Sequence, residues 1–166
     1  TTWLNNTTGA YAWYDNDSTT YASTYGASYS WYAVDNSAGL CPTGWHVPTD
    51  CEWMYLEGTL GMSTAEQENT GSRGTDEGGK LKETGTIHWN SPNAGATNSS
   101  GFSGLPGGSR YDSGYSADVG NYGSWWSSTQ ASAGSAWGCS LGCDDGYVNR
   151  TNNGKEYGFS VRCIKD

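Results

Sequence analysis

Five cysteines, two histidines and a few adjacent acidic pairs are the side chains of this 166-residue chain that could do chemistry. Cys41, Cys51, Cys139, Cys143 and Cys163 are an odd set, so at most two disulfides close within the chain and one sulfur is left over. Cys139 and Cys143, separated by three residues, are the one close pair. His46 and His88 are the side chains with neutral-range basicity, and each sits beside a tryptophan, Trp45 or Trp89, which reads as framework. Asp76, Glu77, Asp144 and Asp145 are hard oxygen donors that could help hold calcium, although a calcium site needs six to eight oxygens, many of them loop carbonyls. No nucleophile elbow, Walker loop or His-Glu-x-x-His motif occurs. No catalytic residue and no metal ligand set is therefore assigned, and the chain reads as a non-enzyme.

Charge and composition narrow the partners. Seventeen acidic against eight basic residues give a net charge of −9, and the bases are scattered, which argues against nucleic acid and against anionic membrane surfaces. No apolar run approaches the roughly 18 residues of a membrane span, so no direct membrane insertion is expected. The chain starts at Thr1 without a leader, and an upstream signal, anchor or stalk is left open. Only sixteen residues are Leu, Ile, Val or Phe, yet there are nine Trp and 12 Tyr. The core must be aromatic, with 25 glycines turning the loops.

The elements that must position these groups are short. Thr49-Asp50-Cys51-Glu52 has the capping-box pattern, and Trp53, Leu56 and Leu60 follow at helical spacing, which predicts a helix over about 49–60 stopped by Gly61. Cys51 in its first turn is expected to be buried as a small apolar residue. Residues 1–34 alternate aromatic with small residues and favour short strands and turns, although Tyr21, Tyr25 and Tyr29 would also suit one helix face. A short helix is possible at 63–69 before an exposed loop, and 85–123 should be a long loop-rich excursion. Strand signals return at 124–128, 136–141, near Tyr147-Val148 and at 158–164, an antiparallel meander. The fold class is α+β, one domain over 1–166.

Several phrases resemble the Fibrobacter succinogenes major paralogous domain: Cys41-Pro42-Thr43-Gly44-Trp45-His46-Val47-Pro48-Thr49, Gly78-Gly79-Lys80-Leu81-Lys82-Glu83-Thr84-Gly85, Trp125-Trp126-Ser127-Ser128-Thr129 and Gly158-Phe159-Ser160-Val161-Arg162-Cys163. The likeness runs in order over nearly the whole chain. It implies a C-type lectin-like fold of the formylglycine-generating variety, with short antiparallel strands and long loops. It implies Cys41 with Cys163 as a structural disulfide, and hence an extracellular, cell-surface or virion-surface setting. Relatives that generate formylglycine use paired cysteines and copper; here Cys139 and Cys143 are spaced and surrounded differently, so that activity is the lesser alternative.

Proteins diversified by retroelements use the same scaffold, with randomised adenines near the C-terminus. Randomising an Asn codon never yields Lys, Glu, Gln, Trp or Met, and residues 138–154 contain none of the five. On that resemblance Cys139, Cys143, Asp144, Asp145, Tyr147, Asn149, Asn152, Asn153 and Tyr157 are expected to form an exposed, variable surface for an unknown protein or carbohydrate ligand. Tyrosine would supply rigid contact area, and Asn, Ser and Gly adaptable polar contacts. Packing into a cell-surface or viral assembly is the alternative.

Overall fold

The computed structural model describes residues 3–166. In chain order the elements are β1 (Tyr11–Ala12), a 3-10 turn, α1 (Ser18–Tyr25), β2 (Ser28–Ser30), α2 (Trp31–Val34), β3 (Trp45–His46), α3 (Asp50–Thr59), α4 (Thr64–Gln67), β4 (Gly71–Arg73) and α5 (Glu77–Leu81). Then come β5 (Ser109–Arg110), β6 (Ser116–Ala117), β7 (Tyr122–Ser132), β8 (Ser135–Gly142), β9 (Val148–Gly154), β10 (Gly158–Phe159) and β11 (Ile164–Lys165). All named strand pairs are antiparallel, in sheets ordered β1-β2-β10-β5-β6, β4-β9-β8-β7 and β11-β3. The architecture is α+β, as the sequence implies. No helix among the described residues is long and apolar enough to cross a membrane.

The adjacent Trp125 and Trp126 explain how so few aliphatics suffice. Successive strand residues point to opposite faces, so Trp125 joins a cluster with Trp53, Trp89, Leu81, Leu141 and Val148, while Trp126 joins Trp31, Ala136 and Phe159. The indole N–H groups are mostly satisfied: Trp126 donates to Tyr29 O at 2.8 Å, Trp31 to Ser127 O at 2.9 Å and Trp89 to Gly104 O at 2.9 Å. One dipeptide thus furnishes both faces of the central sheet.

Helix α3 has the predicted capping box: Thr49 Oγ1 accepts from Glu52 N at 3.2 Å and Glu52 Oε2 accepts from Thr49 N at 2.8 Å. His46 reinforces it, meeting Glu52 Oε1 at 3.0 Å and Asp166 Oδ1 at 2.6 Å, a framework role that ties β3 to the end of the chain. Cys41 and Cys163 form the implied disulfide, closing a separation of 122 residues. By the chain-entropy account such a loop stabilises by about 4–5 kcal/mol.

Within 1–34, which the sequence leaves open between short strands and a helix face, residues 18–25 are helical because Asp17 Oδ1 accepts from the N–H groups of Thr19 and Thr20, a cap that outweighs the strand-favouring Thr and Ser. Three local expectations need correction. Cys51 is exposed, since its position in the first turn of α3 faces away from the sheet that buries Asp50 and Trp53. Residues 77–79 are buried in α5, where a loop was expected to be exposed. The terminal segment does not extend the meander as one strand: β10 pairs with β2 and β5, and β11 with β3.

Candidate functional site

The hairpin β8–β9 and its tip carry the residues singled out from sequence, and the structure divides them. Cys139 lies opposite Trp125 on one side and Arg150 on the other, on the sheet face covered by α3, and is 3% exposed. Burial pushes its thiol well above the ordinary range, with the Glu57 carboxylate adding to the effect. Cys143 is 5% exposed in the same cluster, and its thiol is raised by burial and by Asp144, whose carboxylate stands 3.5 Å away. Both thiols are buried, not exposed as expected, because a small polar-looking run was read without the tertiary packing that covers it.

Asp144, Tyr147 and Asn152 are exposed, and Asp145, Asn149, Asn153 and Tyr157 are half-buried. They do not converge on one patch. Asp144, Asp145 and Tyr147 cluster at the tip before β9, whereas Asn152 and Asn153 lie toward the far end of that seven-residue strand, on the order of 20 Å along it, and Tyr157 follows in the turn beyond it. Asn149 Oδ1 is buried without a hydrogen-bond partner. Asn153 Nδ2 bonds locally to Thr151, and Tyr157 meets the Tyr111 ring edge-on at 5.5 Å.

The tip is held from behind by a residue that sequence reasoning passed over. Lys82 is fully buried, and its ammonium donates to three backbone carbonyls: Ala94 O at 2.8 Å, Gly142 O at 2.8 Å and Asp145 O at 2.6 Å. Burial lowers its pKa, while Asp145, Cys143 and Asp144 oppose the shift. The ring of Trp89 lies 5.5 Å from the ammonium. Its three donors meet three acceptors, so the ammonium ties the carbonyl of Ala94 to those of Gly142 and Asp145 on the hairpin.

Helix α5 supplies the other half of the clamp. Gly79 N donates to Gly146 O at 3.2 Å, and Ala94 N donates to Cys143 O at 2.8 Å. A methyl group on Gly78 would overlap the Tyr147 carbonyl, and one on Gly79 the Gly95 carbonyl. The phrase Gly78-Gly79-Lys80-Leu81-Lys82 is thus a socket for the tip, two bare backbones followed one turn later by an ammonium.

The acids considered for calcium are engaged elsewhere. Glu77 Oε2 accepts from Thr75 N at 2.7 Å, Asp76 pairs with Lys80 at 2.7 Å, and Asp145 Oδ1 accepts from Tyr147 N at 3.0 Å. Among the described residues no three His, Cys, Asp or Glu side chains converge as a metal cluster. The cation that gathers carbonyls at this place is the chain's own ammonium.

Behind the middle of the hairpin lies a buried charged layer. Arg150 forks Asp50 with bonds of 2.8 and 2.5 Å and stacks 3.8 Å from the Trp137 ring. Arg73 Nη2 stands 2.8 Å from both carboxylate oxygens of Glu57, although only Oε1 receives it with hydrogen-bond geometry. Burial, only partly offset by Arg73, pushes the Glu57 carboxyl up to about 7.

The sequence model of the Fibrobacter succinogenes major domain matches residues 2–165. No curated protein and no solved structure matches the chain.

Proposed function

The chain belongs to the Fibrobacter succinogenes major domain family, and from that premise we propose that it is a non-catalytic recognition domain working outside the cell, with the tip Asp144–Tyr147 as its contact surface. The observation that carries this reading is the Lys82 clamp. A loop whose backbone is held at Gly142 and Asp145 by the Lys82 ammonium and at Gly146 by the Gly79 N–H, while Asp144 and Tyr147 stay exposed, binds without first ordering itself. Tyr147, 45% exposed, supplies apolar area, and the two acids supply acceptors for a donor-rich partner. The C-type lectin-like scaffold and a protein or carbohydrate ligand belong to the same proposal. The disulfide accords with an oxidising, extracellular compartment.

Retroelement diversification, where it operates on this gene, would be productive at Asp144, Asp145, Tyr147, Asn152 and Asn153 and damaging at Cys139, Cys143 and Arg150, which are buried. A near-copy of the 3′ end differing at adenines beside a reverse transcriptase gene is its test; a neighbourhood lacking both removes it. For recognition itself, the test is an array of glycans and surface proteins probed with and without calcium. Tyr147→Ala and Asp144→Ala should reduce capture at unchanged stability, and capture indifferent to both would place the site elsewhere.

A second reading, packing into an assembly, rests on one observation. A groove of about 570 Å³ between α3 and β11 is lined by Trp45, Tyr55, Leu56, Phe102 and Ile164, and Tyr55 is 76% exposed. Concentration-dependent association abolished by Tyr55→Glu would favour it over ligand display.

A further inference from the structure

Three arginines are almost equally buried, at 4% exposure for Arg73 and 8% for Arg110 and Arg150, and they are not equally partnered. Arg73 ends on Glu57 and Arg150 on Asp50. Arg110, in β5, has no carboxylate within ion-pair distance among the described residues. Its Nη1 makes one long contact, 3.5 Å to Ser116 Oγ, and its Nε is enclosed without any acceptor. A guanidinium is always ionised and carries five N–H donors, so burying it with one weak bond is costly. The Trp3 ring, 4.9 Å from its Cζ, offsets part of that cost but accepts no N–H in the plane of the fork.

The same arginine lines a cavity of about 340 Å³ walled by Trp3, Tyr11, Trp13, Asn16 and the small residues of 9–12. That volume is at the small end for ligand sites, which run roughly 300–1,000 Å³. Tyr11, 61% exposed, and Trp13 meet edge-to-face at 5.7 Å at the site. Asp15, the nearest acid acting on Arg110, engages it only through space, and its backbone N–H bonds to Ser116 Oγ at 3.0 Å.

We propose that this cavity is a binding site for a small organic carboxylate that also presents a ring face: the carboxylate pairs with the terminal N–H groups of Arg110, supplying the counter-ion that Asp50 and Glu57 give the other two arginines, and the ring lies against Trp13 and Tyr11. The two carboxylates already used by the protein identify the missing chemistry. Phosphate or sulfate would satisfy the charge but leave the aromatic walls unused. The site is separate from the tip at Asp144–Tyr147, and either can fail without the other.

The test is NMR on the intact chain, following the Arg110 Nε–Hε resonance during titration with galacturonate and with benzoate to about 10 mM, against galactose and benzyl alcohol as neutral counterparts. At least one carboxylate should move that resonance and bind roughly tenfold or more tightly than its neutral counterpart. A response to galacturonate alone assigns an acidic sugar, and one to benzoate alone an aromatic acid. Trp13→Ala, which leaves Arg110 in place, should weaken binding severalfold, and Arg110→Lys should retain charge but lose the fork and most of the affinity. No shift of Arg110 with either acid, or equal shifts with the neutral compounds, overturns the proposal.

Discussion

The middle of the β8–β9 hairpin and its tip are built from the same residue types and meet opposite fates. In the middle, Cys139 and Arg150 lie under α3, and the charge of Arg150 is answered by the side chain of Asp50. At the tip, Asp144 and Tyr147 stay outside, and what is buried is backbone, answered by the ammonium of Lys82. The difference lies in what packs behind. A helix face demands side chains from the strand, whereas a socket of two glycines and a lysine demands only carbonyls and leaves the loop's side chains free to vary. A surface that must change its contacts without losing its shape is better placed on the second kind of support.

The sharpest break of this contrast is Arg150→Met. Removing one member of a buried pair leaves Asp50 charged and unpartnered, and the expected loss is about 3–5 kcal/mol in a denaturant melt. A loss below about 1 kcal/mol would mean that the middle of the hairpin tolerates side-chain change as the tip does, and the contrast would fall.

Next in size is a pH effect confined to the layer under α3. The Glu57 carboxyl is raised above its unfolded value of 4.5 to about 7, so its contribution is fully present below pH 4.5 and is lost as pH rises through about 7. At most about 3 kcal/mol should disappear across that window, at 1.36 kcal/mol per unit. His46, raised by Asp166 and Glu52, loses its share in the same direction but only as pH climbs past 6.5. Glu57→Gln should flatten the lower part of the profile and leave the His46 part. A profile unchanged by Glu57→Gln would show that the carboxyl titrates normally.

Much of the scaffold was legible because it is written in local chemistry. The capping box at Thr49–Glu52, the Trp125-Trp126 pair and the strand alternation of β7 and β8 each follow from neighbours in sequence. The disulfide was legible only through the family phrases that hold Cys41 and Cys163. Of the candidate residues, composition marked Asp144, Asp145 and Tyr147, which the structure leaves exposed or half-buried, and equally Cys139 and Cys143, which it buries; only tertiary packing separates the two sets. Lys82 was invisible for a different reason: its three acceptors come from residues 94, 142 and 145, and no local rule announces a carbonyl. The helix α1 was blurred because strand-favouring Thr residues concealed the Asp17 cap.

Lys82→Met tests the socket directly. Replacing the ammonium by an apolar chain of similar length leaves three carbonyls to find water or go unpaired, for a loss of about 2–3 kcal/mol. Amide exchange should rise first at 143–147, with the middle of β9 still protected by its ladder to β8. Gly78→Ala should give the same local pattern, since its methyl group displaces the Tyr147 carbonyl rather than any side chain. Uniform loss of protection along β9 in both variants would merge tip and middle into one cooperative unit.

The smallest change in stability should come with the largest change in binding. Tyr147 is 45% exposed; its N–H bonds within the tip to Asp145 Oδ1 and its carbonyl lies against the bare Gly78, so the ring makes none of the socket's bonds. Tyr147→Ala should therefore shift stability by no more than about 0.5 kcal/mol, the usual range for a surface site. If the tip is the contact surface, the same substitution removes its one aromatic anchor, and such anchors commonly carry 2 kcal/mol or more of a binding free energy, about thirtyfold in affinity. The pairing of the two measurements matters more than either. Loss of binding together with loss of stability would mean that the ring is part of the support, and the division between varied side chains and gripped backbone would no longer hold at the residue where it is most exposed.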